Sequence, residues 1–169
     1  MDLFTQTVPQ FLKTLRNLDR WLEAGTVLAT QKKFEPDVLL QQRLAPDQYA
    51  LVRQVQSACD AAKFAAARVT GKEPPAHPDT ETTMVELRKR IVDVAGWLEG
   101  LRPADFVGAE ERRVSLPFMQ GKWAHGSDYL VQFAIPNFYF HVVTAYSILR
   151  HNGVELGKIT FIGGLTLND

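Results

Sequence analysis

The residue types best suited to chemistry lie in one apolar stretch, residues 127–153. There Asn137, His141 and Thr144 follow one another at intervals of four and three residues, so a helix would place them on one face. An imidazole in such a stripe can act as a general base or metal ligand when a carboxylate orients it. The alternative, which we favour from the sequence, is a buried histidine satisfied by one hydrogen bond, with Asn137 bonding backbone groups freed by Pro136.

A second polar line supplies candidate partners for this histidine. Gln56, Asp60 and Lys63 share one face of an earlier helix, beside a stripe of alanines. If the two helices face each other, Asp60 or Gln56 could contact His141. A helix kink at Pro136 could open a cavity beside them. The candidate pocket therefore consists of His141, Asn137, Thr144, Asp60 and Gln56.

The remaining residues with reactive or aromatic side chains have plainer interpretations. His151 suits the C-terminal end of its helix, where a cation is favoured by the helix dipole. We expect His125 at the exit of a hairpin and His77 in solvent within a proline-rich linker. Cys59 is the only cysteine, and its apolar neighbours indicate a buried thiol in a reducing compartment. A further aromatic set is interpreted as core or dimer surface: Phe138, Tyr139, Phe140, Trp97 and Trp123.

Several classes of function are poorly supported by the sequence. It contains no phosphate-binding loop, dinucleotide fingerprint, Cys-x-x-Cys, His-Glu-x-x-His, Gly-x-Ser-x-Gly or Glu-x-x-His motif. The 19 basic and 19 acidic residues cancel, which argues against nucleic-acid and membrane-surface partners. No run approaches the roughly 20 apolar residues that cross a bilayer, and the acidic N-terminus is unlike a secretory signal. We therefore expect a cytoplasmic protein.

The first half of the chain predicts two long helices. The first begins at Thr7–Pro9 and continues to about Lys33, and PDVLLQQ follows as a short helical turn. The second begins at Pro46–Asp47 and ends at Gly71, which would act as its C-terminal cap. KEPPAHPD then forms a proline-rich linker.

The second half predicts two more helices separated by a hairpin. The third helix extends from about Thr80 to Gly100, and residues 110–125 break the helical period as a short β-hairpin would. The charged residues of the third helix are expected in solvent: Arg88, Lys89, Arg90 and Asp93.

The fourth helix has clear predicted boundaries. Ser127 would cap it, Pro136 would kink it near Gln132 and Phe133, and Gly153 would end it. The apolar residues 159–162 of the tail should fold back onto the helices. Residues 1–169 are thus expected to form one all-α domain, an up-down four-helix bundle with a short β-hairpin between helices 3 and 4.

Three segments carry a resemblance that covers nearly the whole chain: TVPQFLKTLRNL, APDQYALVRQVQSACDAAK and FAIPNFYFHVVTAYSILRHNGVELGK. They resemble a bacterial domain-of-unknown-function family grouped with the DinB/YfiT-like superfamily of four-helix bundles. The resemblance implies a left-handed DinB-like bundle, often a homodimer, from a bacterial cytoplasm. For many members it also implies a divalent metal, such as zinc or nickel, held by three histidines. For some it implies thiol-transferase activity.

The chain departs from the histidine pattern that this resemblance implies. Residues 46–70 contain no histidine, and His141 is followed one turn later by Ala145 rather than by a second histidine. His141 and Asp60 are weak metal candidates on their own, so no metal triad is carried over. We therefore predict a small-molecule-binding or interaction protein with a degenerate metal site. The alternatives are a metal- or thiol-dependent transferase using His141 and Asp60, and a purely structural homo-oligomer.

Overall fold

The computed structural model describes residues 2–165 and 167 of the chain. Its long helices are α1 (Leu3–Lys32), α2 (Leu51–Thr70), α3 (Met84–Glu99) and α5 (Ile135–His151). The remaining elements are the short helices α4 (Gly126–Tyr129) and α6 (Lys158–Ile162), a π-helical turn at Leu130–Ala134, 3-10 turns at Pro36–Gln41, Pro103–Phe106 and Pro117–Met119, and the antiparallel strands β1 (Arg113–Val114) and β2 (Ala124–His125).

The long helices pack around a shared apolar core in a defined order. Ring contacts of Phe11 with Phe138 and of Trp21 with Tyr146 show that α1 and α5 are parallel. α2 packs most extensively on α5 and is antiparallel to it, and α3 packs on α1 and α2. α3 runs antiparallel to α1, because Arg88 pairs with Asp19 whereas the later Glu99 pairs with the earlier Arg16. α3 is therefore parallel to α2, and residues 71–83 are long enough to return the full length of α2, about 30 Å. The predicted all-α fold with a hairpin before the last long helix is confirmed, and its helices run up, down, down and up rather than alternating strictly.

The first two long helices begin at different residues from those predicted. Asp2 caps α1, since its carboxylate accepts the N–H of Thr5 at 2.8 Å, and Pro9 therefore lies inside the helix. α2 begins at Leu51 rather than at Pro46–Asp47, because the intervening residues form a turn. The predicted cap at the other end of α2 is present, since Gly71 adopts the left-handed conformation at φ 75°.

The later helix boundaries also differ locally. Thr83 and Glu86 form a reciprocal capping box, so α3 begins at Met84 and not at Thr80. The fourth helical segment begins at Gly126, and Ser127 lies inside it instead of capping it. Its irregularity falls where the proline predicted one, as the π-helical turn that precedes Pro136 in the chain.

The tail returns to the helices as expected. Phe161 stacks on Trp21 with ring centres 5.3 Å apart, and the indole N–H of Trp21 donates to the Thr160 carbonyl at 3.1 Å. Asn17 donates to the Phe161 carbonyl at 3.1 Å. α6 therefore packs against the middle of α1 around Asn17 and Trp21.

Candidate functional site

A cleft of about 270 Å³ lies between α2, the segment from α4 to α5, and the loop of the hairpin. Three of the predicted pocket residues line it: Asp60, Asn137 and His141. We call it the His141 cleft. Its apolar walls are largely aromatic and comprise Phe64, Phe118, Tyr129 and Phe133. The π-helical turn contributes Phe133 and Ala134 to the lining of this cleft.

His141 is held by an amide, not by a carboxylate. Its Nδ1 lies 2.8 Å from Oε1 of Gln54 on α2. The Nε2 of the same amide donates to the carbonyl of Tyr49 at 3.1 Å, which fixes Oε1 as the acceptor facing the ring. The imidazole therefore carries its proton on Nδ1, and Nε2 has the lone pair. Within the described residues, no other hydrogen bond to this ring is present.

The surroundings of His141 favour its neutral form. Burial lowers the pKa of the half-buried imidazole below its usual value of 6.5, and the nearby charge of Arg53 lowers the pKa further. At neutral pH the ring is therefore uncharged. It offers Nε2 as a hydrogen-bond acceptor on the residue that lines the cleft.

Two of the predicted pocket residues lie elsewhere. Gln56 donates to Oε2 of Glu81 at 2.8 Å and does not line the cleft. Thr144 is buried, and its hydroxyl donates to the Phe140 carbonyl at 2.7 Å. Its side chain therefore satisfies its hydrogen bond within its own helix, as serine and threonine often do.

Asp60 lines the cleft, but its negative charge is compensated by cations outside the cleft lining. Its carboxylate lies 2.7 Å from Nη2 of Arg90 and 2.9 Å from Nζ of Lys63. The predicted contact between Asp60 and His141 is absent, because each residue has other partners. α2 and α5 do pack against each other, and the α2 residue that binds His141 is Gln54 rather than Asp60 or Gln56.

The prediction that Arg90 is solvated was wrong. Its side chain is 1% exposed, and it binds the carboxylates of Asp60 at 2.7 Å, Asp79 at 2.6 Å and Glu81 at 3.1 Å. Asp79 and Glu81 belong to the connection between α2 and α3, and this connection lies against Arg90 of α3. We call Arg90, Asp60, Asp79 and Glu81 the Arg90 cluster.

Lys63 contacts Asp60 of the Arg90 cluster and also His77. Its side chain is 2% exposed, and its Nζ lies 3.0 Å from Nδ1 of His77. His77 is therefore half-buried, not solvent-exposed as predicted. Burial, followed by the charge of Lys63, lowers the pKa of His77, so this imidazole is a neutral acceptor for the lysine.

Two carboxylates of the Arg90 cluster, Asp79 and Glu81, are held ionised. Burial alone would raise the pKa of Asp79, but hydrogen bonds from Arg53 and Arg90 outweigh it and leave the pKa below 3.8. Burial likewise opposes ionisation of Glu81, and hydrogen bonds from its own backbone, Gln56 and Arg90 bring its pKa below 4.5. The cluster is thus a charge-compensated network, in which a buried cation requires its anions.

The residues around His141 do not fit the divalent metal that the resemblance implies. Across the described ranges 2–165 and 167, no group of three or more His, Cys, Asp or Glu side chains is placed to hold a metal ion. In the cleft, Asp60 already neutralises two cations, and the residue facing His141 from α2 is the amide of Gln54. An amide oxygen engaged with an imidazole N–H is a poor donor for zinc.

The residues that were missed carry a signal in the sequence. Gln54 follows Leu51 by three residues and precedes Ala58 by four, so it lies on the buried stripe of α2. Arg90 occupies the corresponding place between Leu87 and Val94 on α3. A polar residue within an apolar stripe must find a partner, and this is the observation that could have identified both.

The other predicted residues lie largely where expected. His125 ends β2, and its Nδ1 is 3.3 Å from a carboxylate oxygen of Glu111. His151 is the last residue of α5, although the side-chain hydrogen bond to the helix end comes from Asn152, at 2.8 Å to the Ile148 carbonyl. Cys59 is fully buried, and burial raises its pKa to about 12. Of the aromatic set, Phe138 is core, Tyr139 and Trp97 are half-buried, and Phe140 and Trp123 are exposed.

The long helices packed around one core form an all-α fold of the DinB-like class. Residues 3–162 match the family described as "Domain of unknown function (DUF1993)", and the chain belongs to that family. It is also similar to a crystal structure of a DinB family member protein from Shewanella denitrificans, with 48% sequence identity and a TM-score of 0.95 over 99% of this chain and 95% of the other. No curated protein matches the chain. No helix of the described residues is long and apolar enough to cross a membrane.

Proposed function

We propose that this DinB-like protein binds a small molecule in the His141 cleft. The observation that carries the proposal is the state of His141. Gln54 fixes its tautomer from one side, and burial keeps it uncharged, so that Nε2 remains as an acceptor at the cleft. A side chain that is oriented by a neighbour and has a vacant acceptor atom is suited to accept a hydrogen bond from a donor group of a ligand.

The composition of the cleft supports the same proposal. Phe64, Phe118 and Phe133 supply apolar surface, while Asn137 adds an amide that can both donate and accept. Predominantly apolar walls with a few polar groups are typical of small-molecule sites, and about 270 Å³ is close to the lower end of their usual size. The ligand is accordingly small.

The transferase alternative is less well supported by the same contacts. General-base catalysis by a histidine is strengthened by a carboxylate on its second nitrogen, and here that position is taken by a neutral amide. Elemental analysis of protein purified without a metal-affinity tag, for the wild type and His141→Ala, tests this alternative directly. Near-stoichiometric zinc or nickel that is lost in the variant would restore the transferase interpretation.

A fragment screen followed by amide chemical-shift mapping tests the binding proposal. His141→Ala is compared with His151→Ala, which removes an exposed imidazole from the end of the same helix. We expect fragments that shift resonances around Asn137 and His141 to bind the wild type and His151→Ala equally, and His141→Ala at least several-fold more weakly. If the fragments bind outside the cleft, or if both variants bind alike, the proposal is contradicted.

We also propose that the chain forms a homodimer and acts in the cytoplasm. Phe140 and Val143 are exposed three residues apart on one face of α5, where a second copy could cover them. The single cysteine is consistent with a reducing compartment. Sedimentation equilibrium tests the dimer, and a monomer at all concentrations would remove both the dimer and the structural homo-oligomer alternative.

A further inference from the structure

Arg68 gives the His141 cleft a positive charge at one end. Its Nη1 donates to the hydroxyl of Tyr129 at 2.9 Å. Its guanidinium carbon lies 5.0 Å from the ring centre of Phe64 and 5.8 Å from that of Tyr129. All three residues line the cleft. The guanidinium is thus held in place by two aromatic faces and a hydroxyl, and none of these groups carries a charge.

The anions of the region do not compensate Arg68. Among the described residues, no carboxylate lies within ion-pair distance of it, whereas Arg88 and Arg90 have carboxylate partners. Asp60 is the acidic residue that lines the cleft, and Arg90 and Lys63 already neutralise it. His141 is uncharged at neutral pH for the reasons given above. The cleft therefore carries an uncompensated positive charge on Arg68.

The charge lies far from the histidine along the cleft. α2 and α5 are antiparallel, and Ser57 and Arg68 on α2 both line the cleft although they are 11 residues apart. At 1.5 Å per residue this separation is about 16 Å along the helix axis. Phe64 and Phe133 lie between these ends. The arrangement is a cation at one end, aromatic surface in the middle, and the Asn137–His141 pair at the other end.

We infer that Arg68 is the anchor for a carboxylate on a small ligand with a planar, apolar body. A guanidinium matches the two oxygens of a carboxylate with parallel hydrogen bonds, and here it is already oriented by Tyr129 and Phe64. The body of the ligand packs against the aromatic walls. The ligand class is therefore an arylalkyl carboxylate. This inference rests on the proposed function, because it names the ligand of the same cleft.

The test compares an acid with its neutral isostere. Phenylacetate and phenylacetamide have the same ring and nearly the same shape, but the amide has no charge. Binding of both to the wild type, Arg68→Gln, Arg68→Lys and Arg150→Gln is measured by titration with chemical-shift detection. Arg150 is an exposed arginine at the end of α5 that does not line the cleft, so its variant is the matched control for loss of one positive charge.

We expect phenylacetate to bind the wild type and Arg150→Gln alike, with shifts at Tyr129 and Phe64. Arg68→Gln should weaken phenylacetate about tenfold or more and leave phenylacetamide nearly unchanged. Arg68→Lys should lie between them, because it keeps the charge and loses the planar fork. Comparing two probes on the same variant makes the result independent of any general effect on folding.

Two outcomes would overturn the inference. Equal binding of acid and amide in the cleft, with no effect of Arg68→Gln, removes the carboxylate anchor but leaves the cleft as a binding site, so the proposed function stands. Failure of phenylacetate to bind the wild type at 10 mM, about the weakest binding that such a titration detects, also overturns the inference. In that case the fragment screen with His141→Ala decides the proposed function separately.

Discussion

Replacing Arg90 by methionine should destabilise the protein far more than the same change at Arg88. Arg90 is 1% exposed and binds three carboxylates, whereas Arg88 is 32% exposed and pairs with Asp19 at 2.7 Å. Removing one partner of a buried ion pair usually costs about 3–5 kcal/mol, because the remaining charge is left without compensation. An exposed pair contributes about 0–1 kcal/mol.

The contacts of the three carboxylates indicate that the loss of stability in Arg90→Met lies at the lower end of that range. Asp60 would keep Lys63, and Asp79 would keep Arg53, so each loses only one of its cations. Glu81 is 11% exposed, and among the described residues only Gln56 would still bind its side chain. We therefore expect a loss of about 3 kcal/mol in the free energy of unfolding for Arg90→Met. For a chain of this length that corresponds to a fall of about 6–12 °C in Tm.

Urea unfolding at pH 7, monitored by circular dichroism, measures both variants. Amide hydrogen exchange over residues 78–82 adds a local readout, since loss of the Arg90 ion pairs should raise exchange there before the rest of the molecule unfolds. Repeating the unfolding near pH 4 should reduce the difference from the wild type. The wild type loses stability there because the unfolded chain takes up protons that Asp79 and Glu81, with their lowered pKa values, do not, whereas in Arg90→Met the uncompensated carboxylates can be protonated. The reasoning is refuted if Arg90→Met costs less than about 1 kcal/mol, or no more than Arg88→Met.

Further predictions follow from single positions. Gly126→Ala should lower the free energy of unfolding by about 1–3 kcal/mol, because the new Cβ would lie 2.0 Å from a backbone oxygen. Gly96→Ala has open space around it and should raise the free energy of unfolding by about 0.5–1 kcal/mol. Urea unfolding measures both, and equal effects would contradict this prediction. Cys59, whose pKa is raised to about 12, should react with thiol reagents at pH 8 only as fast as the protein unfolds, and rapid native labelling would disprove its burial. Because the folded pKa of His141 lies below 6.5, the unfolded chain binds more protons below that pH, so stability should fall as pH drops from 7 towards 5; His141→Gln should flatten this slope and His151→Gln should not.

The sequence predicts most of the fold because local rules determine most of it. Apolar spacing identified the long helices, Gly71 marked the end of α2, and the loss of helical period at 110–125 located the hairpin. Helix starts were less accurate, since Asp2 and Thr83 act through their side-chain hydrogen bonds and not through the apolar pattern. The direction of α3 was missed because it depends on how far the connection travels, and no local signal encodes that.

The candidate site could be predicted only in part, for a different reason. Spacing within α5 places Asn137 and His141 on one face of the helix, and both residues line the cleft. Their partners come from α2, and the choice between Gln54, Gln56 and Asp60 depends on how that helix is rotated about its own axis. At about 100° per residue, Gln56 and Asp60 lie roughly 160° and 120° from Gln54 around the helix axis, so the rotation of α2 decides whether an amide or a carboxylate meets His141.

The position of Asp60 explains why the cleft and the Arg90 cluster are coupled. Asp60 belongs to both sites. Its carboxylate compensates the charges of Arg90 and Lys63, and the same residue lines the His141 cleft. An anion that is fully used by buried cations cannot also neutralise Arg68, and this leaves the cleft positively charged. If Arg90 were lost, Asp60 would be freer to turn towards the cleft, and its negative charge would oppose a carboxylate ligand. Arg90→Met should therefore weaken phenylacetate more than phenylacetamide in protein that is still folded, although Arg90 does not line the cleft.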